Sequence, residues 1–98
     1  MAKYVYPAIL TPEYESGYSV LFPDLEGCYT QGDDLTDALQ MAKGVLELTL
    51  YDYEADEKSI PNPSNIRNIQ TEKDEIISLV AADAMNYISM YKTYLGIN

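Results

Sequence analysis

The sequence contains no histidine and only one cysteine, Cys28, among its 98 residues. The absence of histidine removes the commonest general base, the catalytic triads that depend on it and the commonest zinc ligand. A single cysteine cannot form an internal disulfide bond, which fits a reducing compartment. No basic residue lies near Cys28 in the sequence, so we interpret its side chain as small and buried rather than nucleophilic.

Long apolar segments are also missing. The first four residues lack the apolar run of a signal peptide, and no segment approaches the length of a membrane span. The sequence has no internal repeat, and 47% of its residues are hydrophobic, which is enough for one core. We therefore expect a single globular domain over residues 1–98 and a cytoplasmic location.

Basic residues are scarce. Six lysines and arginines face sixteen acidic residues, which gives a formal net charge of −10. A domain with this charge repels phosphate backbones, so we predict that the chain itself does not bind nucleic acid. It attracts positively charged proteins, and salt weakens that attraction. Charge alone leaves open the alternative that the acidic residues only keep the protein soluble.

Hydrophobic periodicity predicts six elements in the order strand, strand, strand, helix, strand, helix. Turn-forming segments separate the first three strands and make an antiparallel meander. The main helix begins after Asp34, a good N-cap residue with Asp37 three positions later, and it carries a wide apolar stripe. The fourth strand is apolar almost throughout, which indicates burial on both faces. The strands are predicted at about 3–10, 18–22, 28–31 and 75–82, and the helices at about 35–54 and 84–95.

The order of the elements predicts the fold class, α/β (α+β). A long helix separates the third and fourth strands, so we predict a right-handed crossover that returns the fourth strand parallel to the first. The sheet order is then 3-2-1-4, with the main helix on one face. This order resembles the start of a ribonuclease H fold. Pro7 cannot donate to a sheet ladder, so it must lie at a bulge or where a neighbouring strand has ended.

Carboxylates are the only candidate catalytic groups. Asp24, Glu26, Asp33 and Asp34 follow predicted strands, and such groups can hold magnesium in a metal-dependent nuclease. Acidic residues are also favoured in turns for caps and local hydrogen bonds, and the predicted strand interiors contain no acid. We therefore expect no catalytic residue, no metal and no cofactor, and keep the nuclease as an alternative.

Four motifs occur in a fixed order: residues 6–10 (YPAIL), 17–28 (GYSVLFPDLEGC), 31–33 (QGD) and 38–43 (ALQMAK). This series, within residues 4–53, resembles the N-terminal domain of HicB-type antitoxins. The resemblance implies a partial ribonuclease H-like fold without ribonuclease activity. It also implies a partner, the small basic HicA toxin that cleaves messenger RNA, whose active site the antitoxin covers. Full-length HicB antitoxins usually add a C-terminal DNA-binding domain. We expect these 98 residues not to include that domain, so that the chain is either shortened or a compact member.

Chemistry suggests which residues meet a partner. The acidic residues around the second turn and after the main helix are candidate toxin contacts, and the alternative is a solvated acidic rim. These candidates are Asp24, Glu26, Tyr29, Asp52, Glu54, Asp56 and Glu57. Exposed apolar and tyrosine side chains are candidates for self-association into a homo-oligomer, which is common for antitoxins of this type. They are Met41, Leu48, Tyr51, Tyr87, Tyr91 and Tyr94. An orphan HicB-like scaffold that binds another protein is a further alternative.

Overall fold

The computed structural model describes residues 3–83. In chain order these form strands β1 (Lys3–Pro12), β2 (Tyr18–Leu21) and β3 (Tyr29–Gly32), helix α1 (Leu35–Ala55), a 3-10 turn (Ile66–Asn68) and strand β4 (Ile76–Asp83). The final helix predicted over 84–95, with its candidate residues Tyr87, Tyr91 and Tyr94, lies outside the described residues.

The four strands form one sheet in the order β3-β2-β1-β4, as predicted. The predicted direction of the fourth strand is wrong, because β4 pairs with β1 antiparallel, from Leu10 opposite Ile76 to Lys3 opposite Asp83. The other two pairings are antiparallel as well. The sheet is therefore entirely antiparallel, and the parallel strand of the expected ribonuclease H-like arrangement is not present in it.

The connection between α1 and β4 explains the reversed direction. We call the end of the sheet at the β1–β2 connection (residues 13–17) the upper end, and the end at the β2–β3 connection (22–28) the lower end. Helix α1 finishes at the lower end, where the Tyr4 hydroxyl donates a hydrogen bond to the Glu54 carboxylate across 3.1 Å. A parallel strand would have to start there. Residues 56–75 instead return to the upper end before β4 begins.

Hydrogen bonds hold this returning segment against the sheet. The Tyr6 hydroxyl donates to the Pro61 carbonyl oxygen. The Ser64 backbone N–H donates to the Asp24 carboxylate across 2.8 Å, and the Ser64 hydroxyl donates to the other oxygen of the same carboxylate. These contacts use side chains of β1 and of the β2–β3 connection, so the path of the segment depends on long-range partners.

The sheet has two different faces because side chains alternate along each strand. Helix α1 covers the inner face, where Tyr6, Ala8, Leu10, Val20 and Val80 pack as one buried cluster with the helix. The helix contributes Ala38, Ala42, Leu46 and Leu50 to that cluster. The outer face carries the alternate residues, and no helix or strand within 3–83 lies over it.

The start of α1 follows the predicted cap. The Asp34 carboxylate accepts a hydrogen bond from the Asp37 backbone N–H at 2.8 Å, and the Asp37 carboxylate accepts one from the Asp33 N–H at 2.8 Å. The first bond satisfies a backbone donor that the first helical turn leaves without a partner. The second bond ties Asp33, the residue before the N-cap, to the first turn of the helix.

Pro7 and Gly32 lie at positions where their special backbone properties matter: proline lacks a backbone N–H donor, and glycine lacks a side chain. Pro7 is fully buried in the part of β1 that pairs with β4 only, since β2 pairs with β1 from Ile9 onward. This confirms the prediction that Pro7 lies where a neighbouring strand has ended. Gly32 ends β3 directly beneath the first turn of α1. A Cβ atom at Gly32 would lie 2.3 Å from the backbone nitrogen of Ala38. The helix can approach the sheet here because residue 32 has no side chain.

Candidate functional site

The two predicted acidic groups meet at the lower end of the molecule. Asp24 and Glu26 belong to the β2–β3 connection, and the second group follows the last turn of α1, which ends at the same place. The second group has four acidic residues, and all of them are exposed: Asp52, Glu54, Asp56 and Glu57. The structure therefore joins two groups that are separate in sequence into one acidic end.

Two of the acidic candidates at this end, Asp24 and Glu54, already accept hydrogen bonds from other residues of the chain. Asp24 is half-buried and accepts two hydrogen bonds from Ser64, so it anchors the returning segment. Glu54 accepts the hydrogen bond from Tyr4, and partial burial together with this bond raises the pKa of the Tyr4 hydroxyl. The Lys58 ammonium lies 5.5 Å from the centre of the Tyr53 ring, which places one cation among the acidic residues.

The self-association candidates lie elsewhere. Met41 and Leu48 are exposed on α1 and line a shallow cleft of about 330 Å³ between the helix and β3. Gly44 lies between them, and nothing is within 4 Å of the position where its Cβ would be. Tyr51 is half-buried on the same helix and does not line the cleft. Two of these three candidates, Met41 and Leu48, therefore lie on one surface.

The carboxylates considered for metal binding are divided between the two ends. Asp24 and Glu26 precede β3, whereas Asp33 and Asp34 follow it, so the length of the strand separates the pairs. Among residues 3–83, no group of three or more histidine, cysteine, aspartate or glutamate residues is placed to hold a metal ion. No helix in the same part of the chain is long and apolar enough to cross a membrane.

Cys28 lies in the core and not at a surface. Its side chain is completely buried, and its thiol donates a weak hydrogen bond to the Val45 carbonyl oxygen at 3.9 Å. Burial raises the pKa of the Cys28 thiol, and a hydrogen bond with Thr49 opposes this only in part. Since the thiolate is the reactive form, both the burial and the raised pKa suppress nucleophilic chemistry.

We expect Cys28 in the native protein to react with a disulfide reagent such as DTNB at pH 8 on the order of 100-fold more slowly than in the unfolded chain, because reaction requires opening of the core. Absorbance of the released thiolate follows the rate in buffer and in 6–8 M urea, the urea reaction being the control. Equal rates in the two solutions would contradict a buried thiol.

The exposed outer face of the sheet does not follow from the sequence. The apolar run of β4 predicts burial on both faces, but on its outer side Leu79 is 58% exposed and Ala81 is exposed as well. Tyr29, a candidate toxin contact, is 67% exposed and belongs to this face, where it pairs with Leu21. Side chains alternate between the two faces of a strand, but only the pairing register shows which residues share the outer face.

Comparisons with known proteins agree with this fold. The solved chain of a toxin–antitoxin complex from Streptococcus pneumoniae superimposes with a TM-score of 0.77 and 23% identity, over 99% of this chain and 91% of that chain. A chain of the HicA3 and HicB3 toxin–antitoxin complex does so with a TM-score of 0.66 and 22% identity, over 82% of this chain and 99% of that chain. Within residues 3–83 the fold is thus a mixed α+β arrangement with one α-helix on a four-stranded antiparallel sheet.

The sequence comparisons give the family. The Antitoxin HicB of Escherichia coli strain K12 is 42% identical over 64 residues, which are 64% of this chain and 46% of that protein. The matched part is therefore less than half the length of this relative. The family model for the HicB-like antitoxin of bacterial toxin–antitoxin systems matches residues 6–93. The chain belongs to the family of HicB-like antitoxins.

Proposed function

We propose that this chain is an antitoxin that binds a small basic toxin of the HicA type and neutralises it by covering its active site. The observation that carries the proposal is family membership over residues 6–93. The Escherichia coli relative is named as an antitoxin, and both similar structures are toxin–antitoxin complexes. The role is binding and not catalysis, and it uses no cofactor or metal.

The charge of the chain supports a basic partner. All sixteen acidic residues of the sequence lie within residues 3–83, the part of the chain that the structure describes. A protein that cleaves RNA must bind a phosphate backbone and is expected to be positively charged. Opposite charge accelerates the encounter and excludes like-charged competitors. The acidic lower end, with Glu26, Asp52, Asp56 and Glu57 exposed, stays a candidate contact for that partner.

Two further assignments accompany the proposal. We place the protein in the cytoplasm, because a single buried cysteine fits a reducing compartment and the messenger RNA targets of such a toxin are found there. We also infer that the chain self-associates through the cleft that Met41 and Leu48 line, since exposed apolar side chains beside a concave surface are typical of contact regions.

The test is co-purification of this chain with the small basic protein encoded beside its gene. We expect a complex that forms at low salt, weakens as ionic strength rises and stops RNA cleavage by the toxin. RNA cleavage is measured for the toxin alone, the mixture and this chain alone. Active toxin in the presence of excess chain would contradict neutralisation by these residues. A complex with some other protein instead would favour the orphan scaffold.

A further inference from the structure

The outer face of the sheet carries apolar side chains on all four strands, and among them only Pro7 is fully buried. Ile77, Ile9, Leu21 and Tyr29 form a row across all four strands, because the register pairs Ile77 with Ile9, Ile9 with Leu21, and Leu21 with Tyr29. Below this row, Pro7 pairs with Leu79, and Val5 pairs with Ala81. Four large side chains of this face are well exposed, with relative exposures between 46% and 67%: Val5, Leu21, Tyr29 and Leu79.

Acidic residues border this apolar surface. At the upper end the Thr11 hydroxyl, on the outer side of β1, donates a hydrogen bond to the Glu75 carboxylate across 2.8 Å. The backbone N–H of Glu72 donates to the other carboxylate oxygen, and this bond is the largest cause that lowers the pKa of Glu75. Asp33 extends the outer side of β3 by one step, and Asp83 ends the outer side of β4.

The segments that connect the strands at the upper end strengthen this negative border. The β1–β2 connection and the turn before β4 lie side by side there, because Leu10 is paired with both Val20 and Ile76. Among the acidic side chains of these two segments, only one base, Lys73, occurs. The acids are Glu13, Glu15, Glu72, Asp74 and Glu75. The border therefore matches a positively charged surface.

Two kinds of occupant could cover an apolar face of this size. A second copy docked on this face would bring its own acidic border against the acidic border of the first, which like-charge repulsion disfavours. A basic protein with an apolar centre would match both the centre and the border. Exposed contiguous apolar patches rimmed by polar groups mark interaction sites, and interface energy concentrates in central apolar and aromatic anchors.

We propose that the outer face is the docking surface for the basic toxin, with Leu21, Tyr29 and Leu79 as apolar anchors and the bordering carboxylates as partners for toxin lysines and arginines. This assignment rests on the proposed antitoxin function and adds the surface through which it acts. Tyr29 connects the face with Glu26 in the preceding connection, so the contact extends toward the acidic lower end.

The test compares two double variants that add the same charge on different surfaces. Leu21→Lys with Leu79→Lys places two cations on the outer face, and Leu35→Lys with Leu39→Lys places two on α1, outside the cleft that Met41 and Leu48 line. Leu21 and Leu35 are similar in exposure, at 48% and 44%. We measure the Kd for the small basic protein encoded beside the gene, by calorimetry at 150 mM salt. Circular dichroism and thermal unfolding establish that both variants fold, and light scattering gives their oligomeric state.

We expect the outer-face variant to bind the toxin on the order of 100-fold more weakly than the wild type, and the helix variant, Leu35→Lys with Leu39→Lys, to bind within about 3-fold of it. If both variants bind as the wild type does, the outer face is not the docking surface although the antitoxin function stands. The same holds if only the helix variant loses binding, or if the outer-face variant loses self-association but still binds the toxin. Failure of the wild type to bind contradicts the proposed function itself. If the outer-face double variant does not fold, the single variant Leu79→Lys is tested by the same criteria, since Leu79 is 58% exposed.

Discussion

Replacement of Gly32 by alanine is expected to lower the free energy of unfolding by about 3 kcal/mol. The added methyl group would lie 2.3 Å from the nitrogen and 2.4 Å from the Cα atom of Ala38, and 2.8 Å from the carbonyl carbon of Asp37. All three are backbone atoms of the first turn of α1, so no side chain can move aside. The helix must shift away from the sheet and loosen the contacts of its N-terminal half.

The control for this prediction is Gly44→Ala, the same change within α1. A Cβ at Gly44 meets nothing within 4 Å, and alanine favours the helix interior over glycine by about 1 kcal/mol. Gly44→Ala is therefore expected to stabilise the protein while Gly32→Ala destabilises it. Urea unfolding followed by circular dichroism measures both variants. Equal stability of Gly32→Ala and the wild type would show that α1 does not need this close approach.

Replacement of Leu46 by alanine is expected to cost about 3 kcal/mol of stability. Leu46 is completely buried on the face of α1 that packs against the sheet. Its truncation leaves a cavity in the one core of the described chain, and the surrounding side chains refill such a space only in part. A small domain has a total stability of about 5–15 kcal/mol, so the loss is a large share of it.

Leu48→Ala provides the matched comparison, because Leu48 is two positions along the same helix but 39% exposed. The expected cost is below about 1 kcal/mol. Thermal unfolding of the two variants should therefore show a clearly lower Tm for Leu46→Ala only. Similar losses in both would mean that the buried stripe is not the face that stabilises the fold, or that Leu48 is covered by self-association in solution. Light scattering at the same concentration distinguishes these two cases.

The local features of the fold could be predicted because they depend on neighbours in sequence. The meander and the Asp34 cap follow from turn residues, alternation and the spacing of Asp37. The position of β4 beside β1 is as predicted, but the prediction rested on a parallel crossover that the sheet does not contain. The direction of β4 could not be predicted, because it depends on where residues 56–75 lead the chain. That path is fixed by contacts with distant residues, such as Tyr6 with Pro61 and Asp24 with Ser64. No periodicity within the segment itself encodes those partners.

The candidate surfaces could be predicted from the sequence only in part. The acidic groups are visible in the sequence, but their meeting at the lower end depends on where α1 ends relative to the β2–β3 connection. The exposure of the outer face could not be predicted, because an almost continuous run of apolar residues in β4 is compatible with burial of one face or of both. Only the register places Ile77 beside Ile9 and Leu79 beside Pro7.

The pairing of β1 with β4 has a consequence for the synthesis of the protein. It joins the first described strand to the last, Lys3 to Asp83, whereas β1, β2, β3 and α1 are consecutive along the chain. Closing so long a loop is slow relative to forming the local contacts. We therefore expect the meander and the helix to assemble first on a growing chain, with β4 added last. The outer face then gains Ile77, Leu79 and Ala81 only after the ribosome has passed them, so a nascent chain presents no complete docking surface until this domain is nearly finished.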